Sequence, residues 1–349
     1  MSRKLAEYYN KFALLGNKLL SNRKSNHALE HMRSILIKRP LDINIETTNY
    51  CPMECVFCPN HKRKRPKKNM DMSLFNKVCK NFYEIGGGAV GICSMQSDIF
   101  SDVLLMDRLR EISKYKNVFQ LYTTTNLVGA SRLNDDDLKF FLQQFDYLEI
   151  SLGGLTREDY RIMFGVDAFD TVMKQLFRIK EMAKYYEINI MFDLSIRTHD
   201  KNKILKNDLL AKLKQAYAIL NIKDSFFYWG GLIAQSDLPD GARLETVDNS
   251  LIRKDCIIPW STLSVNVNGS VVGCGCVDWE ARHIIGDMNS HRIEDIWDGN
   301  LAKKFRTAFS ENNISELCRY CSLYTQMDKT LSRHILHKYK PSDGLYYKQ

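Results

Sequence analysis

The 349-residue sequence lacks the features that mark membrane and secreted proteins. No apolar run approaches the roughly 20 residues that a membrane-spanning helix needs. The start, Met1-Ser2-Arg3-Lys4, has no apolar signal-peptide core, so we expect a cytoplasmic protein in a reducing compartment, where disulfides are rare. The ten cysteines of the chain therefore indicate metal or redox chemistry rather than cross-links.

Proline is absent between Pro66 and Pro239, which suits a long series of uninterrupted helices and strands. Strand-like and helix-like segments alternate there, as in parallel β-α-β units. Strands are predicted at 41–47, 89–93, 118–124, 147–152, 188–196 and 225–228, and helices at 73–85, 103–115, 134–144, 168–185 and 206–220. Six such units fit an α/β fold of the partial (β/α)6 TIM-type barrel class. We therefore expect functional loops at the carboxyl ends of the strands.

Positive charge is concentrated in two places, although the formal net charge is only +9. Residues 1–40 carry a net +7 and are predicted to form a basic helical segment packed on the main domain. The run from His61 to Lys68 adds six Lys and Arg residues and is predicted to be a solvated loop. Two functional alternatives are a grip on a phosphorylated substrate and the docking of an acidic electron donor of the flavodoxin or ferredoxin type. Nucleic-acid contact is least favoured, because no aromatic residues are interleaved.

Three cysteines, Cys51, Cys55 and Cys58, lie within eight residues in the spacing CxxxCxxC. Such a loop can bring three thiolates to one point, and it supplies no fourth cysteine. A 4Fe–4S cluster held by three cysteines leaves one iron open to a small molecule. A structural zinc site normally has four ligands, and His61 could supply the fourth. The spacing favours an iron–sulfur cluster and leaves zinc as the alternative.

The run from Cys51 to Cys58, including Phe57 before the last cysteine, closely resembles the signature of radical S-adenosylmethionine (SAM) enzymes. The resemblance implies a partial barrel that carries a 4Fe–4S cluster in the loop after its first strand. In that family, SAM chelates the open iron through its amino and carboxylate groups. An electron from the cluster then splits SAM into methionine and a 5′-deoxyadenosyl radical.

Further segments match the family's SAM-binding positions in chain order. Gln96-Ser97-Asp98-Ile99 stands where family members usually carry Gly-Gly-Glu-Pro, so Asp98 would accept a hydrogen bond from the SAM amino group. The segment 123–126 resembles Thr-Asn-Gly, and 151–153 resembles the Ser-Leu-Asp segment near the SAM ribose. A basic residue after the fifth strand often binds the SAM carboxylate. The resemblance thus implies SAM contacts by Phe57, Asp98, Thr125, Asn126, Ser151 and Arg197.

A second group of cysteines follows in the last hundred residues. The segment 264–272 alternates apolar and polar residues about Asn268-Gly269, which predicts a β-hairpin with a two-residue type I′ turn. That hairpin would bring Cys256 and Cys274 together, and Cys318 and Cys321 form a CxxC pair further on. Between them, 293–309 is predicted to be a helix interrupted near residue 298. Four thiolates could ligate a second 4Fe–4S cluster, with a zinc ribbon as the alternative.

The stretch from Cys256-Ile-Ile-Pro-Trp260 to the final CxxC pair resembles the C-terminal SPASM/twitch region of radical SAM dehydrogenases and maturases. A full SPASM domain carries more cysteines and two auxiliary clusters. Here only Cys276 remains beyond the four proposed ligands, so the resemblance implies the single-cluster twitch form. Its ligands would be Cys256, Cys274, Cys318 and Cys321; Cys276 competes with Cys274, which the family's spacing favours. The predicted organisation is a basic helical segment (1–40), the barrel (41–235), a small hairpin-plus-helix cluster domain (236–325) and a tail (326–349).

These expectations combine into a radical SAM oxidoreductase. It would abstract hydrogen from a small molecule (a sugar, aminocyclitol or nucleotide sugar) and oxidise an alcohol, with the auxiliary cluster as electron acceptor. Asp278 is the candidate base. Trp229 is expected to face the active-site side, where it would pack against cofactor or substrate, with core filling as the alternative. A peptide-modifying maturase is the alternative; residues 1–40 look too short and too helical for a leader-binding domain. A zinc-stabilised binding protein without catalysis is the alternative from another class.

Overall fold

The computed structural model describes residue 34 and residues 36–95, 97–245 and 255–327. The predicted N-terminal segment and tail therefore lie mostly outside the described residues, as does Gln96. Within the described ranges, no helix has the length and apolar character needed to cross a membrane. The predicted division into domains stays a prediction.

The described residues form eleven strands and eleven α-helices. The strands are β1 (Asp42–Ile45), β2 (Ala89–Ile92), β3 (Gln120–Thr125), β4 (Tyr147–Gly153), β5 (Met191–Arg197), β6 (Ile219–Lys223), β7 (Ser225–Phe226), β8 (Arg243–Leu244), β9 (Thr262–Val265), β10 (Ser270–Val272) and β11 (Ile284–Asp287). The helices are α1 (Met72–Glu84), α2 (Leu105–Ile112), α3 (Asp135–Gln144), α4 (Arg157–Phe164), α5 (Phe169–Tyr185), α6 (Lys201–Leu205), α7 (Asp208–Ala216), α8 (Ile258–Ser261), α9 (Ile293–Trp297), α10 (Asn300–Ser310) and α11 (Glu316–Arg319).

One nine-stranded sheet, in the order β11-β10-β9-β1-β2-β3-β4-β5-β6, organises the fold. Strands β1 to β6 run parallel, each beside the next in the chain. This arrangement confirms the α/β class and the open, TIM-like partial barrel. Strand β9 pairs in parallel with β1, from Asp42 opposite Thr262 to Ile45 opposite Val265. The C-terminal hairpin therefore extends the barrel sheet directly.

Helices cover the outer face of the parallel sheet with apolar side chains at helical spacing. Helix α1 buries Leu74, Phe75, Val78 and Phe82, which recur every three or four residues. Side-chain caps begin other helices: Asn134 accepts from the Asp137 N–H in α3, and Thr156 accepts from the Asp159 N–H in α4. These local signals explain why the helix over 134–144 could be predicted.

The inner face of the sheet is polar, as cross-strand hydrogen bonds show. The Tyr122 hydroxyl in β3 donates to Asp42 and to Asn44 in β1, at 3.0 Å in each case. The Tyr147 hydroxyl in β4 donates to Asp193 Oδ2 in β5 at 2.8 Å. Closed TIM barrels usually fill this space with bulky branched apolar residues. A lumen lined by hydroxyl, amide and carboxylate groups instead suits a polar ligand.

The sixth parallel strand lies at Ile219–Lys223, so the prediction of a strand at 225–228 and of a helix reaching residue 220 was wrong. The helix ends at Ala216. The apolar spacing of Leu210, Leu213 and Ala216 continues to Leu220, so a helical period conceals the start of the strand. The segment predicted as a strand contributes only β7, which pairs with β8 outside the main sheet.

The predicted hairpin is present, but its turn differs from the predicted type I′. Strands β9 and β10 pair with Val265 opposite Val271. The Gly269 N–H donates to the Asn266 carbonyl, and the Asn266 N–H donates to the Ser270 carbonyl, both at 2.9 Å. Of the Asn268-Gly269 pair only Gly269 has a positive φ, +90°. A type I′ turn needs positive φ at both residues, so this is a three-residue connection that ends on glycine.

Candidate functional site

The loop that carries the first three cysteines follows β1 and is fixed to the end of α4. The N–H groups of Glu54 and Val56 donate to the carbonyls of Phe164 and Met163, at 3.1 Å each. Gly165, which follows the last residue of α4, has φ +72°. A Cβ at this position would lie 2.7 Å from the backbone oxygen of Glu54. Glycine therefore permits both the turn after α4 and the close approach of the cysteine loop.

The three thiols of this loop are partly shielded from water and lie close to one another. Burial, and next the charge of Asp98, raises the pKa of Cys51 to about 12. Burial also raises the pKa of Cys55 well above its usual range, and the neighbouring Cys58 and Cys51 raise it further. Such thiols ionise readily only when a bound cation compensates their charge. Soft thiolate donors in this arrangement fit an iron–sulfur cluster.

The aromatic residue before the last cysteine connects this loop to the end of the barrel. The Phe57 ring stacks on Phe226 with centroids 4.8 Å apart and planes at 15°. The Arg197 guanidinium carbon lies 5.9 Å from the Phe57 ring centroid. The Phe57 carbonyl accepts a hydrogen bond from Trp229 Nε1 at 2.9 Å. Phe57 thus helps to position the loop, and its contact with SAM stays a prediction.

Asp98, Thr125 and Asn126 form one hydrogen-bonded group beside Cys51. Asp98 Oδ2 accepts from Thr125 Oγ1 and from the Asn126 N–H, both at 2.8 Å, and Oδ1 accepts from the Phe100 N–H at 3.0 Å. Burial raises the pKa of Asp98, and these hydrogen bonds oppose the rise. Asn126 Nδ2 lies 3.7 Å from Cys51 Sγ. The structure brings these residues to the cysteine loop, with the Asp98 carboxylate engaged within the protein.

Ser151 and Arg197 also contact each other, on the lumen face of β4 and β5. Arg197 Nε donates to Ser151 Oγ at 3.3 Å, and its Nη2 lies 3.1 Å from Glu149 Oε1. Lys223 in β6 lies in register with Arg197. Burial, and next the charge of Arg197, lowers the pKa of Lys223. Lys223 was not predicted as a site residue, because the sixth strand was placed too late in the sequence.

The second group of cysteines gathers under the hairpin and α11. Cys256 and Cys321 are buried, and Cys274, Cys276 and Cys318 are partly buried. The hydrogen bond with Cys276, and next burial, raises the pKa of Cys274. Burial raises the pKa of Cys256 to about 12 and also that of Cys321, and Cys274 adds to both shifts. Cys274 and Cys276 both pack beside the other thiols, and the choice between them as ligand stays a prediction.

The thiol groups fit zinc as well as an iron–sulfur cluster, because both take thiolate ligands.

Asp278, the predicted base, accepts hydrogen bonds from two backbone N–H groups and so stabilises a turn. Its Oδ1 accepts from the Arg282 N–H at 2.8 Å, and its Oδ2 accepts from the His283 N–H at 2.7 Å. His283 Nδ1 lies 3.4 Å from the same Oδ2. Burial raises the pKa of Asp278, but hydrogen bonds from His283 and from the two N–H groups outweigh it, so the pKa is lowered. Its role as general base stays a prediction.

Two cations of the basic run point inward, contrary to the predicted solvated loop. Arg63 Nη1 and Arg65 Nη2 lie 3.1 and 2.8 Å from Glu46 Oε1, at the end of β1. Arg65 Nε donates to the Trp279 carbonyl at 2.7 Å, and Glu280 accepts from the N–H groups of residues 64 and 65. We call Glu46, Arg63, Arg65, Trp279 and Glu280 the Glu46 clasp. It fastens the basic run to both the barrel and the second cysteine region.

The exposed Lys and Arg residues of the run are Lys64, Lys67 and Lys68, and Lys62 is half-buried with its Nζ 2.6 Å from Asp237 Oδ2. The predicted phosphate grip or donor docking by these cations stays a prediction. Trp229 connects the two cysteine regions: its ring packs edge-on against Trp279, with centroids 5.5 Å apart, and its Nε1 donates to the Phe57 carbonyl.

A small pocket, half open to solvent, lies between the ends of β1 and β2 and the C-terminal hairpin. Its polar lining includes Asn44, Glu46 and Ser94 from the barrel, and Ser264 and Asn266 from the hairpin. Gly275, between Cys274 and Cys276, closes one side. Strand β1 leads on to the Cys51 loop, so the pocket adjoins elements from both cysteine regions.

Comparisons with known proteins support an iron–sulfur cluster site in the C-terminal region. The SPASM family, an iron–sulfur cluster-binding domain, matches residues 256–322. Probable GTP 3′,8-cyclases of Saccharolobus islandicus, for example from strain M.14.25 / Kamchatka #1, are 32% identical over 142 residues. That alignment covers 39% of this chain and 42% of the relative. The chain thus matches less than half the length of these curated relatives.

Solved structures with the same fold have low sequence identity. BtrN in complex with AdoMet and 2-DOIA has a TM-score of 0.55 at 17% identity, covering 83% of this chain and 96% of that chain. Streptococcus suis SuiB bound to its precursor peptide SuiA has a TM-score of 0.58 at 14% identity, covering 86% and 75%. anSMEcpe with bound AdoMet has a TM-score of 0.53 at 15% identity, covering 86% and 97%. These likenesses confirm the fold.

Proposed function

We propose that this chain, a radical SAM enzyme with a C-terminal SPASM domain, oxidises an alcohol carbon of a small molecule. The observation that carries the proposal is the pocket itself. Its lining comes from β1, which leads to Cys51, and from Gly275, which lies between Cys274 and Cys276. A ligand there would adjoin elements that carry both cysteine groups.

The two groups of cysteine thiols fit the 4Fe–4S clusters that the fold implies. When bound, a 4Fe–4S cluster at Cys51, Cys55 and Cys58 would supply the electron that cleaves SAM, and a second one in the SPASM domain would accept an electron. We propose Cys256, Cys274, Cys318 and Cys321 as ligands of the second. SAM would bind to six residues that surround the Cys51 loop and the adjoining lumen: Phe57, Asp98, Thr125, Asn126, Ser151 and Arg197.

The proposed oxidation balances without a further oxidant. The hydrogen atom leaves the alcohol carbon and becomes part of 5′-deoxyadenosine. The hydroxyl proton would pass to water or to a side chain of the lumen, and a cluster held by Cys256, Cys274, Cys318 and Cys321 would supply an acceptor for the remaining electron. The alcohol becomes a carbonyl group. An external one-electron donor of the flavodoxin or ferredoxin type would reduce the first cluster, and the exposed Lys64, Lys67 and Lys68 offer it a positive surface.

The test begins with anaerobic purification and reconstitution of the full chain. We expect about eight irons per chain, four for each cluster, and formation of 5′-deoxyadenosine with dithionite and SAM. Cys55→Ala should abolish SAM cleavage. Cys318→Ala with Cys321→Ala should leave about four irons and SAM cleavage but no oxidised product. Cys79→Ala, which alters a buried thiol outside both groups, is the matched control. Zinc in place of iron, with no SAM cleavage, would refute the proposal.

A further inference from the structure

We infer that the hydroxyl of Tyr160, in α4, donates a hydrogen bond to a sulfur at the Cys55 corner of the bound first cluster and thereby raises the reduction potential of that cluster. The inference rests on the proposed function, because it assumes a 4Fe–4S cluster at Cys51, Cys55 and Cys58. Tyr160 lies outside the cysteine loop and is not among the residues proposed to bind SAM. Its effect would therefore act on the cluster and not on the reacting atoms.

Tyr160 packs against the cysteine loop from the side of α4. Its ring meets that of Phe164 with centroids 5.0 Å apart, and the Phe164 ring meets that of Phe57 at 5.8 Å. The Phe164 carbonyl also holds the loop, because it accepts from the Glu54 N–H. These contacts fix the Tyr160 ring beside the segment that carries the three thiols.

The hydroxyl of Tyr160 has a poor acceptor within the protein. Tyr160 is 0% exposed, and its hydroxyl lies 3.8 Å from Met53 Sδ, its only hydrogen-bond partner among the described residues. A thioether sulfur is a weak acceptor, whereas buried polar groups usually have a strong partner. Tyr217, which is equally buried, donates to the Leu176 carbonyl at 2.8 Å. The Tyr160 hydroxyl thus remains available to a stronger acceptor nearby.

The nearest anionic groups to this hydroxyl belong to the first cysteine site. Burial raises the pKa of Tyr160, and the charges of Cys55, Asp98 and Cys51 raise it further, in that order. Asp98 already accepts three hydrogen bonds through its two oxygens. A carboxylate so occupied has less need of a further donor, which leaves the sulfur atoms as acceptors for the Tyr160 hydroxyl.

The three thiols differ in the hydrogen bonds that they already receive. Cys51 Sγ accepts from Asn126 Nδ2 at 3.7 Å. Burial raises the pKa of Cys58, and a hydrogen bond from the Asn60 N–H opposes this rise. Cys55 Sγ accepts from no other residue in the described part of the chain. The corner of the site that lacks a donor is therefore the one closest in charge to the unused hydroxyl.

A hydrogen bond at this corner has a defined effect on reduction. Reduction adds negative charge to the cluster and its thiolates, and hydrogen bonds to the sulfurs are among the factors that set cluster potentials. A donor stabilises the more negative, reduced state more than the oxidised state. Removing the Tyr160 hydroxyl should therefore make the first cluster harder to reduce.

The test is a redox titration, monitored by electron paramagnetic resonance, of the anaerobic, reconstituted full chain. Cys318→Ala with Cys321→Ala serves as the background, so that the signal comes from the first cluster alone. We expect Tyr160→Phe to lower the equilibrium constant for reduction about tenfold, or ~59 mV for one electron. Tyr217→Phe is the matched control: burial alone raises the pKa of Tyr217, so no cysteine charge acts on it, and the potential should stay unchanged.

Iron content and SAM cleavage by dithionite are measured in the same preparations, where both variants should keep about four irons per chain. A Tyr160→Phe potential equal to or above that of the control would overturn the inference and leave the proposed function standing. Loss of iron from Tyr160→Phe alone would also overturn it, because the hydroxyl would then retain the cluster instead of tuning it. Zinc in place of iron would refute the proposed function, and the inference with it.

Discussion

Replacing Glu46 with glutamine tests whether the Glu46 clasp stabilises the contact between the barrel and the C-terminal region. The side chain of Glu46 is 8% exposed, and those of Arg63 and Arg65 are 2% and 13% exposed. Glutamine keeps the size of the side chain but removes its charge. Two largely buried guanidinium groups would then lack their shared carboxylate.

The expected effect follows from the burial of this group. Removing one partner of a buried ion pair destabilises a protein by about 3–5 kcal/mol, because it leaves an uncompensated charge. The unfolding entropy of 349 residues is about 0.7 kcal/mol per kelvin. We therefore expect Glu46→Gln to lower Tm by about 4–7 °C.

Anaerobic scanning calorimetry of the reconstituted protein measures this change, with Glu84→Gln as the matched control. Glu84 in α1 pairs with Arg292 at 2.9 Å and also joins the barrel to the C-terminal region, but the two side chains are 34% and 51% exposed. Exposed pairs contribute little, so its Tm should fall by less than about 1 °C. Adding Arg65→Met to Glu46→Gln should cost less than the two separate changes combined. A Glu46→Gln shift no larger than that of the control would refute the clasp.

Three further predictions concern the cysteine regions. Trp229→Phe keeps the aromatic ring but removes the donor to the Phe57 carbonyl, so a chelator should extract iron from the first group several times faster; an unchanged rate would contradict this. Asp278→Asn should lower Tm, because Asp278 anchors a turn, and keep the yield of product per 5′-deoxyadenosine; SAM cleavage without product would restore its role as base. Cys274→Ser should reduce the iron content to about four per chain while Cys276→Ser keeps about eight, and the opposite pattern in iron analysis would identify Cys276 as the ligand.

The sequence predicts those parts of the molecule that local signals determine. Five of the six parallel strands fall within a few residues of their predicted places, because each is a short apolar run before a helix. Strand β6 does not, since the apolar spacing of α7 continues into Leu220 and resembles a longer helix. The turn at Asn268-Gly269 also could be predicted only in part. The residue pair correctly indicates a hairpin, but the turn type depends on the backbone of all three connecting residues.

Burial of the basic run could not be predicted, because it depends on residues far away in the chain. The carboxylate of Glu280 that binds the backbone of Lys64 is 216 residues away. A run of cations with no nearby acid resembles a solvated loop in any local window. Only the pairing of β9 with β1 brings the SPASM region close enough for Trp279 and Glu280 to meet the run.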